Sequence, residues 1–149
     1  MSMHDVFNTT FEISLRMTLL FGVSNDAMTA DRAAAYDFIT IYSSSFNLSD
    51  QALNGENNFG FSEFTVRREI ITKTLKNMII DGLLTVRRDR SGFKYTLTNN
   101  GIDFYKSLNS EYAEEYRALA RKTIEALRNT DDVKLLSLIT RESTKALRR

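Results

Sequence analysis

The segment from Ser62 to Gly101 constrains the fold more than any other part of the sequence. It opens with a helical pattern, in which apolar residues recur every three or four positions. Gly82 follows where a helix needs a left-handed residue to end. Two short alternating runs then flank Asp89-Arg90-Ser91-Gly92, which predicts a β-hairpin. The expected inward residues are Val66, Ile70, Leu75, Met78, Ile79, Leu84, Val86, Tyr95 and Leu97, and the expected outward ones are Arg67, Arg68, Lys73 and Lys76.

Helices are also predicted on both sides of this segment. One begins at Asn8, Thr9 and Thr10, and a second begins at Thr29, because such side chains satisfy the free amides of a helix start. Residues 46 to 61 lack a periodic pattern and predict a long loop. Ser62 is the expected start of the next helix. Further helices are expected after Thr98, Ser110 and Thr130-Asp131-Asp132, the last with Val133, Leu136 and Ile139 along one stripe.

The order of these elements predicts a mainly α protein with a small β-hairpin, arranged as a winged-helix domain. In that fold the third helix packs across the first two, and the hairpin extends beside it as a wing. We expect residues 1–109 to form the winged-helix domain. Residues 110–149 would be a C-terminal helical extension, packed on that domain or on a partner.

Double-stranded DNA is a candidate ligand of a winged helix, since the third helix can enter the major groove while the wing contacts the backbone or minor groove. Such contact requires exposed cations at the helix start and the wing tip. The candidates are Arg67, Arg68, Arg87, Arg88, Arg90 and Lys94. An alternative is that the helix cations form a solvated face, and that the wing charges keep the hairpin edge from pairing with other sheets.

The composition argues against catalysis. The chain has no cysteine, and its one histidine, His4, lies near the N-terminus. We therefore expect no catalytic residue, no metal site, no cofactor and no small-molecule substrate. No long uncharged apolar run predicts a membrane span, and a cytoplasmic location is expected. Residues 1 to 60 hold two basic and seven acidic side chains, against eighteen and twelve in residues 61 to 149, an asymmetry that can mark a surface for nucleic acid or an acidic partner.

Two further groups of residues are candidates for other roles. Aromatic and leucine side chains near the loop, the wing tip and the last helix could anchor a protein partner or pack in the core; they are Phe59, Phe61, Phe93, Leu135 and Leu138. Spacing allows ion pairs within a structural network of Glu12, Arg16, Asp37 and Glu69. A buried Asp37 could fix either Arg67 or Arg16.

Three stretches carry a resemblance to a known family. They are FNTTFEISLRMTLLF, AAAYDFITIYSSSF and FTVRREIITKTLKNMIIDGLL, followed by the GFKYTLTNNGIDFYKSL region. Together they resemble the middle component of ABC-three-component systems, including the small subunit of Lamassu-type anti-phage systems, over about residues 7 to 128. The matching positions are Phe7, Asn8, Phe11 and Glu12, then Tyr36, Asp37 and Phe38, then Val66, Arg67, Arg68 and Glu69.

The resemblance implies an accessory subunit that sits on an SMC-like ATPase and links it to a separate effector nuclease. The ATPase and the nuclease would be other chains. A different possibility is a stand-alone dimeric transcription regulator of similar fold, with the C-terminal helices as its dimer interface. A regulator should form a symmetric dimer and prefer one DNA sequence, whereas a subunit should co-elute with a large ATPase.

Overall fold

The computed structural model describes residues 9–48 and 61–147, which form six helices and one two-stranded sheet. The helices are α1 (Thr10–Ser24), α2 (Ala30–Ile41), α3 (Phe61–Ile80), α4 (Asn99–Ser107), α5 (Glu111–Leu127) and α6 (Asp132–Leu147). The strands β1 (Leu84–Asp89) and β2 (Gly92–Leu97) lie between α3 and α4. The prediction of a mainly helical chain with one small hairpin is confirmed.

Four of the predicted helix starts are confirmed by capping hydrogen bonds. The hydroxyls of Thr9, Thr29, Thr98 and Ser110 each accept a hydrogen bond from the backbone amide three residues later. Ser62 was expected to start the third helix, but α3 already begins at Phe61. The predicted loop, residues 46 to 61, lies mostly outside the described residues.

Gly82 ends α3 as the sequence predicts. Its φ of 79° lies in the left-handed region that an L side chain rarely adopts. The Leu83 amide donates to the Met78 carbonyl at 2.9 Å, and the Gly82 amide donates to the Ile79 carbonyl at 3.0 Å. These bonds satisfy carbonyls at the helix end and turn the chain directly into β1.

The hairpin has the predicted turn. Asp89 pairs with Gly92, so Arg90 and Ser91 form a two-residue loop. The register continues through Arg87 opposite Lys94, Val86 opposite Tyr95, and Leu84 opposite Leu97. On its other side β2 contacts Met28, in the turn between α1 and α2, through an isolated antiparallel bridge.

The core forms around α2, in which every residue from Ala33 to Ile41 is buried. Helices α1, α3 and α5 pack against it, and α6 packs against α2 and α3. One buried apolar cluster contains residues from α1 to α3, the hairpin, α5 and α6. The residues before and after position 109 therefore share a core.

Several predicted orientations are wrong. Val66 is 56% exposed and Val133 is 74% exposed, whereas Arg67 is only 3% exposed. The inward face of α3 follows Phe64, Arg67, Ile71, Thr74, Leu75 and Met78, because Arg67 packs its stem inside and keeps an ion pair to Glu63. Val86 is exposed, since the hairpin leaves the core after Leu84, while Leu84 and Tyr95 are buried as expected.

Candidate interaction surface

A buried ion pair joins α1 to α2. The Arg16 Nε donates to Asp37 Oδ1 at 2.9 Å, and its Nη2 donates to Oδ2 at 3.3 Å. Tyr116, on α5, donates its hydroxyl proton to Asp37 Oδ1 at 2.7 Å. The side chains of Arg16 and Asp37 are fully buried. Of the two partners considered for Asp37, the structure therefore shows Arg16, and three helices meet at one carboxylate.

Burial and charge shift the pKa values at this junction. Burial opposes the charge on Arg16, but Asp37 more than offsets it and raises the pKa of that guanidinium above its usual value. Burial raises the pKa of Tyr112 to about 12 against the partial counter-effect of Arg16, and burial also raises the pKa of Tyr116. Arg16, Asp37 and Tyr116 lack solvent access, so their role at this junction is to hold the helices together.

Of the other two residues considered for this network, Glu12 is half-buried in the first turn of α1 and Glu69 is exposed on α3.

Of the six cations considered for DNA, the exposed ones lie on the hairpin. Arg87, Arg88 and Arg90 are all exposed. Within the described chain none of them forms an ion pair, whereas Lys94 lies 3.5 Å from Asp89. The Ser91 amide donates to Asp89, and this hydrogen bond lowers the pKa of that carboxyl. Three arginines at one end of the molecule are therefore available to a partner.

The cations of α3 are placed differently. Arg67 is buried, donates to Glu63 Oε1 at 3.2 and 3.3 Å, and lies 5.9 Å from the centre of the Tyr42 ring. Arg68 forms an ion pair of 2.7 Å with Asp31, on α2. Arg67 therefore lacks the exposure that contact with DNA requires, and Arg68 already has an acidic partner.

The apolar residues considered as partner contacts differ in exposure. Phe93 is 58% exposed at the wing tip. Leu135 is fully buried and Leu138 is partly buried, since α6 lies on the domain and packs against α2 and α3. Phe59 lies outside the described residues, as does the side chain of Phe61. Phe93 alone among the described candidates is exposed.

Arg32 is a structural residue that the sequence analysis missed. Its guanidinium donates to the carbonyls of Leu127, Arg128 and Thr130, to Tyr36 Oη and to Asp132 Oδ1. It thereby ties the start of α2 to the turn between α5 and α6. The signal in the sequence was indirect, because the carbonyls at the end of a predicted helix need donors.

Arg32 also lines an open cleft of about 560 Å³. The cleft lies between the α1–α2 turn, β2 and the α5–α6 turn, with Lys94 and Asp132 among its lining residues. Arg32 and Asp132 form an ion pair of 3.0 Å, so these two charges offset each other within the chain.

Residues 9–48 and 61–147 contain no group of three or more histidine, cysteine, aspartate or glutamate side chains that could hold a metal ion. None of the helices found in those ranges is both long and apolar enough to cross a membrane.

Comparison with known proteins identifies the family. A family model described as Middle Component 2 of ABC-three component (ABC-3C) systems matches residues 6–149. Neither a curated protein nor a solved structure matches the chain. By its description the family supplies one component of a multi-component system, which implies protein partners. Since the match covers nearly all of its 149 residues, the chain belongs to the Middle Component 2 family of ABC-three component systems.

Proposed function

We propose that this chain is a non-catalytic winged-helix subunit that links an SMC-like ATPase to an effector nuclease in a Lamassu-type anti-phage complex. The observation that carries the proposal is the family match over residues 6–149, which makes the chain one component among several. The surface adds a second support, because three exposed arginines and the exposed Phe93 lie on one hairpin.

The strand order supports a winged helix. The Met28 amide donates to the Tyr95 carbonyl at 3.0 Å, and the Tyr95 amide donates to the Met28 carbonyl at 2.8 Å. Met28 thus pairs with the outer side of β2 through an isolated bridge, in the spatial order Met28, β2, β1. The order of α1, Met28, α2, α3 and then the hairpin supports the winged-helix proposal.

A non-catalytic role is supported by what the polar side chains do. The chain has no cysteine and one histidine, at position 4. Its extensively hydrogen-bonded arginines, Arg16 and Arg32, bind groups of the chain itself. A role in assembly uses the surface and leaves these buried networks intact.

Protein is better supported than double-stranded DNA as the partner of this surface. Of the six cations considered for DNA, Arg67 is buried, and Arg68 and Lys94 have acidic neighbours. The exposed face of α3 mixes Lys73 and Lys76 with Glu69. A helix that enters a major groove needs exposed cations near its start, and here Arg67 is buried and Arg68 is paired with Asp31.

The proposal is tested by purifying the chain from its native host with a C-terminal tag, under its own promoter, at moderate salt and after nuclease treatment. We expect an SMC-like ATPase and a nuclease to co-elute, with the untagged strain as the control. Recovery of a lone homodimer that shifts one DNA sequence would overturn the proposal and favour a transcription regulator. An ATPase that is lost after nuclease treatment would show that DNA, and not protein contact, links the components.

A further inference from the structure

The hydrogen bonds of Tyr95 reveal which way the backbone of the hairpin points. In an antiparallel pair, residues alternate between those that bond across the pair and those whose amide and carbonyl point away from it. Tyr95 uses both of its backbone groups on Met28, so it belongs to the second kind. Val86 is directly opposite Tyr95 in the register. Its amide and carbonyl therefore point away from β2, toward the outer edge of β1.

Arg88 has the same orientation, because it lies two residues along the strand. The two-residue turn agrees with this assignment, since Asp89 and Gly92 then form the bonded pair that closes the hairpin. Within residues 9–48 and 61–147 no other segment is hydrogen-bonded to the outer groups of Val86 and Arg88. All residues from Thr85 to Arg90 are exposed. The outer edge of β1 thus offers two amides and two carbonyls in strand spacing.

The side chains along this edge select the chemistry of a partner. Arg87, Arg88 and Arg90 are exposed and unpaired within the described chain, while the acid among them, Asp89, already contacts Lys94 and the Ser91 amide. Arg88 lies 5.8 Å from the centre of the Phe93 ring. The edge therefore combines positive charge with an exposed aromatic surface, which complements an acidic segment that also carries apolar side chains.

The open carbonyls distinguish a polypeptide from DNA. A phosphate group can accept from the amides of Val86 and Arg88, but it has no proton to donate to their carbonyls. An extended peptide has both kinds of group at the spacing of a strand. A polypeptide can bond to both the amides and the carbonyls of the edge, whereas the phosphate backbone of DNA can bond only to the amides.

We propose that the free edge of β1 binds an extended acidic segment of a partner protein, which adds to the hairpin as a further strand next to Val86 and Arg88. The inference deepens the proposed function and rests on it for the identity of the partner, which would be another component of the same system. The mode of binding rests on the hairpin alone.

Residue-resolved amide exchange on the full chain tests the mode of binding. The probe is a synthetic peptide of about six residues, the usual length of a strand, that alternates valine and glutamate. In excess peptide we expect exchange of the Val86 and Arg88 amides to slow by up to about tenfold. The Thr85 and Arg87 amides, which are already bonded to β2, should change little. Matched controls are a valine–lysine peptide and a DNA duplex. The inference is overturned if the amides of residues 85 to 88 all slow equally or do not slow. It is also overturned if the lysine peptide slows the Val86 and Arg88 amides selectively.

Two variants separate backbone pairing from side-chain contact. Val86→Pro removes an outward amide without removing a hairpin hydrogen bond, as an edge strand permits. Val86→Ala shortens the side chain and keeps the amide. We expect the proline variant to weaken peptide binding about tenfold and the alanine variant to weaken it much less. Equal binding by both variants, with the Met28–Tyr95 amides still protected, contradicts the strand addition.

The outcomes distinguish the inference from the function on which it rests. Alternating protection with the acidic peptide, but no ATPase in the purification, removes the proposed function and keeps the docking edge. An intact complex together with no alternating protection keeps the function and removes the edge.

Discussion

The buried junction of Arg16, Asp37 and Tyr116 and the exposed hairpin use arginine guanidinium groups in opposite ways. Arg16 is fully buried and meets Asp37, which also accepts a hydrogen bond from Tyr116. Arg87, Arg88 and Arg90 are exposed and have no acidic partner of their own in the described chain. For Arg16 the opposite charge lies inside the chain, whereas for the hairpin arginines we propose that it is supplied by a partner.

Desolvation explains why the two arrangements cannot be exchanged. A buried guanidinium loses its hydration, so it must be neutralised and hydrogen-bonded on the spot. An exposed guanidinium keeps its water and contributes little to stability until a partner displaces that water. We therefore expect substitutions at the junction to act on folding, and substitutions on the hairpin to act on binding.

The largest effect is expected for Asp37→Ala. The substitution leaves the Arg16 charge buried without an acid and removes an acceptor of Tyr116, so we expect the free energy of unfolding to fall by about 3–5 kcal/mol. Urea denaturation followed by circular dichroism measures the change. The matched control is Asp31→Ala, which breaks the exposed pair with Arg68 and should cost less than about 1 kcal/mol.

A double substitution sharpens the same result. Arg16→Met with Asp37→Leu removes both charges, and we expect it to be clearly more stable than Asp37→Ala alone. If the double variant is the less stable of the two, the loss came from packing and not from an unpaired charge. That outcome contradicts the electrostatic account of the junction.

Gly101→Ala is expected to have the next largest effect. A Cβ at this position would overlap the backbone oxygen of Leu83, which also accepts from the Thr98 amide where the hairpin meets α4. Because a backbone group cannot move aside as a side chain can, we expect a loss of about 1–3 kcal/mol despite the higher helix propensity of alanine. Lys106→Ala, on the exposed end of α4, is the control and should stay within about 0.5 kcal/mol. If the Gly101→Ala and Lys106→Ala variants are equally stable, the backbone near Leu83 shifts to accommodate the added Cβ at little cost.

The next effect is a loss of stability in alkali. Burial raises the pKa of Tyr112 from 10.0 to about 12, so folding favours the protonated phenol. The stability that this phenol contributes is fully present below the pKa of tyrosine in the unfolded chain and is lost as the pH rises from 10.0 to about 12. The loss of stability reaches about 1 kcal/mol near the middle of that interval. Urea denaturation at several pH values measures the loss.

Tyr112→Phe identifies the group responsible. The variant should lose less stability over the same pH interval than the original chain, and the remaining loss belongs to the other buried phenols, of which Tyr116 also has a raised pKa. Identical alkaline profiles would assign the loss to groups outside the junction and weaken the contrast with the hairpin.

Local rules predicted the parts of the fold that depend on neighbouring residues. The caps at Thr29 and Thr98, the Gly82 turn and the two-residue hairpin loop each follow from side chains within a few positions. The burial of Arg67 did not follow. Its partner Glu63 lies only one turn earlier, but its ring contact comes from Tyr42, on another segment, and local rules cannot predict that contact.

The candidate site was predicted only in part. Charge alone selected the hairpin arginines, and these are exposed. The direction of the β1 backbone could not be derived from charge or periodicity, since it depends on the bridge between Met28 and Tyr95, residues far apart in the sequence. Arg32 was missed for a similar reason: all of its acceptors except Tyr36 lie about a hundred positions away.

The smallest expected effect is a gain. Arg87 lies directly opposite Lys94, and like charges in that position destabilise a hairpin. Arg87→Thr should therefore raise the free energy of unfolding by a few tenths of a kcal/mol, up to about 0.5, and the gain should disappear at high salt, where repulsion between exposed charges is screened. Chemical denaturation at low and high ionic strength measures it. A loss of more than about 1 kcal/mol would mean that Arg87 makes stabilising contacts within the chain. A gain in stability together with weaker binding of the acidic peptide shows that the hairpin carries this arginine for a partner, at some expense to its own stability.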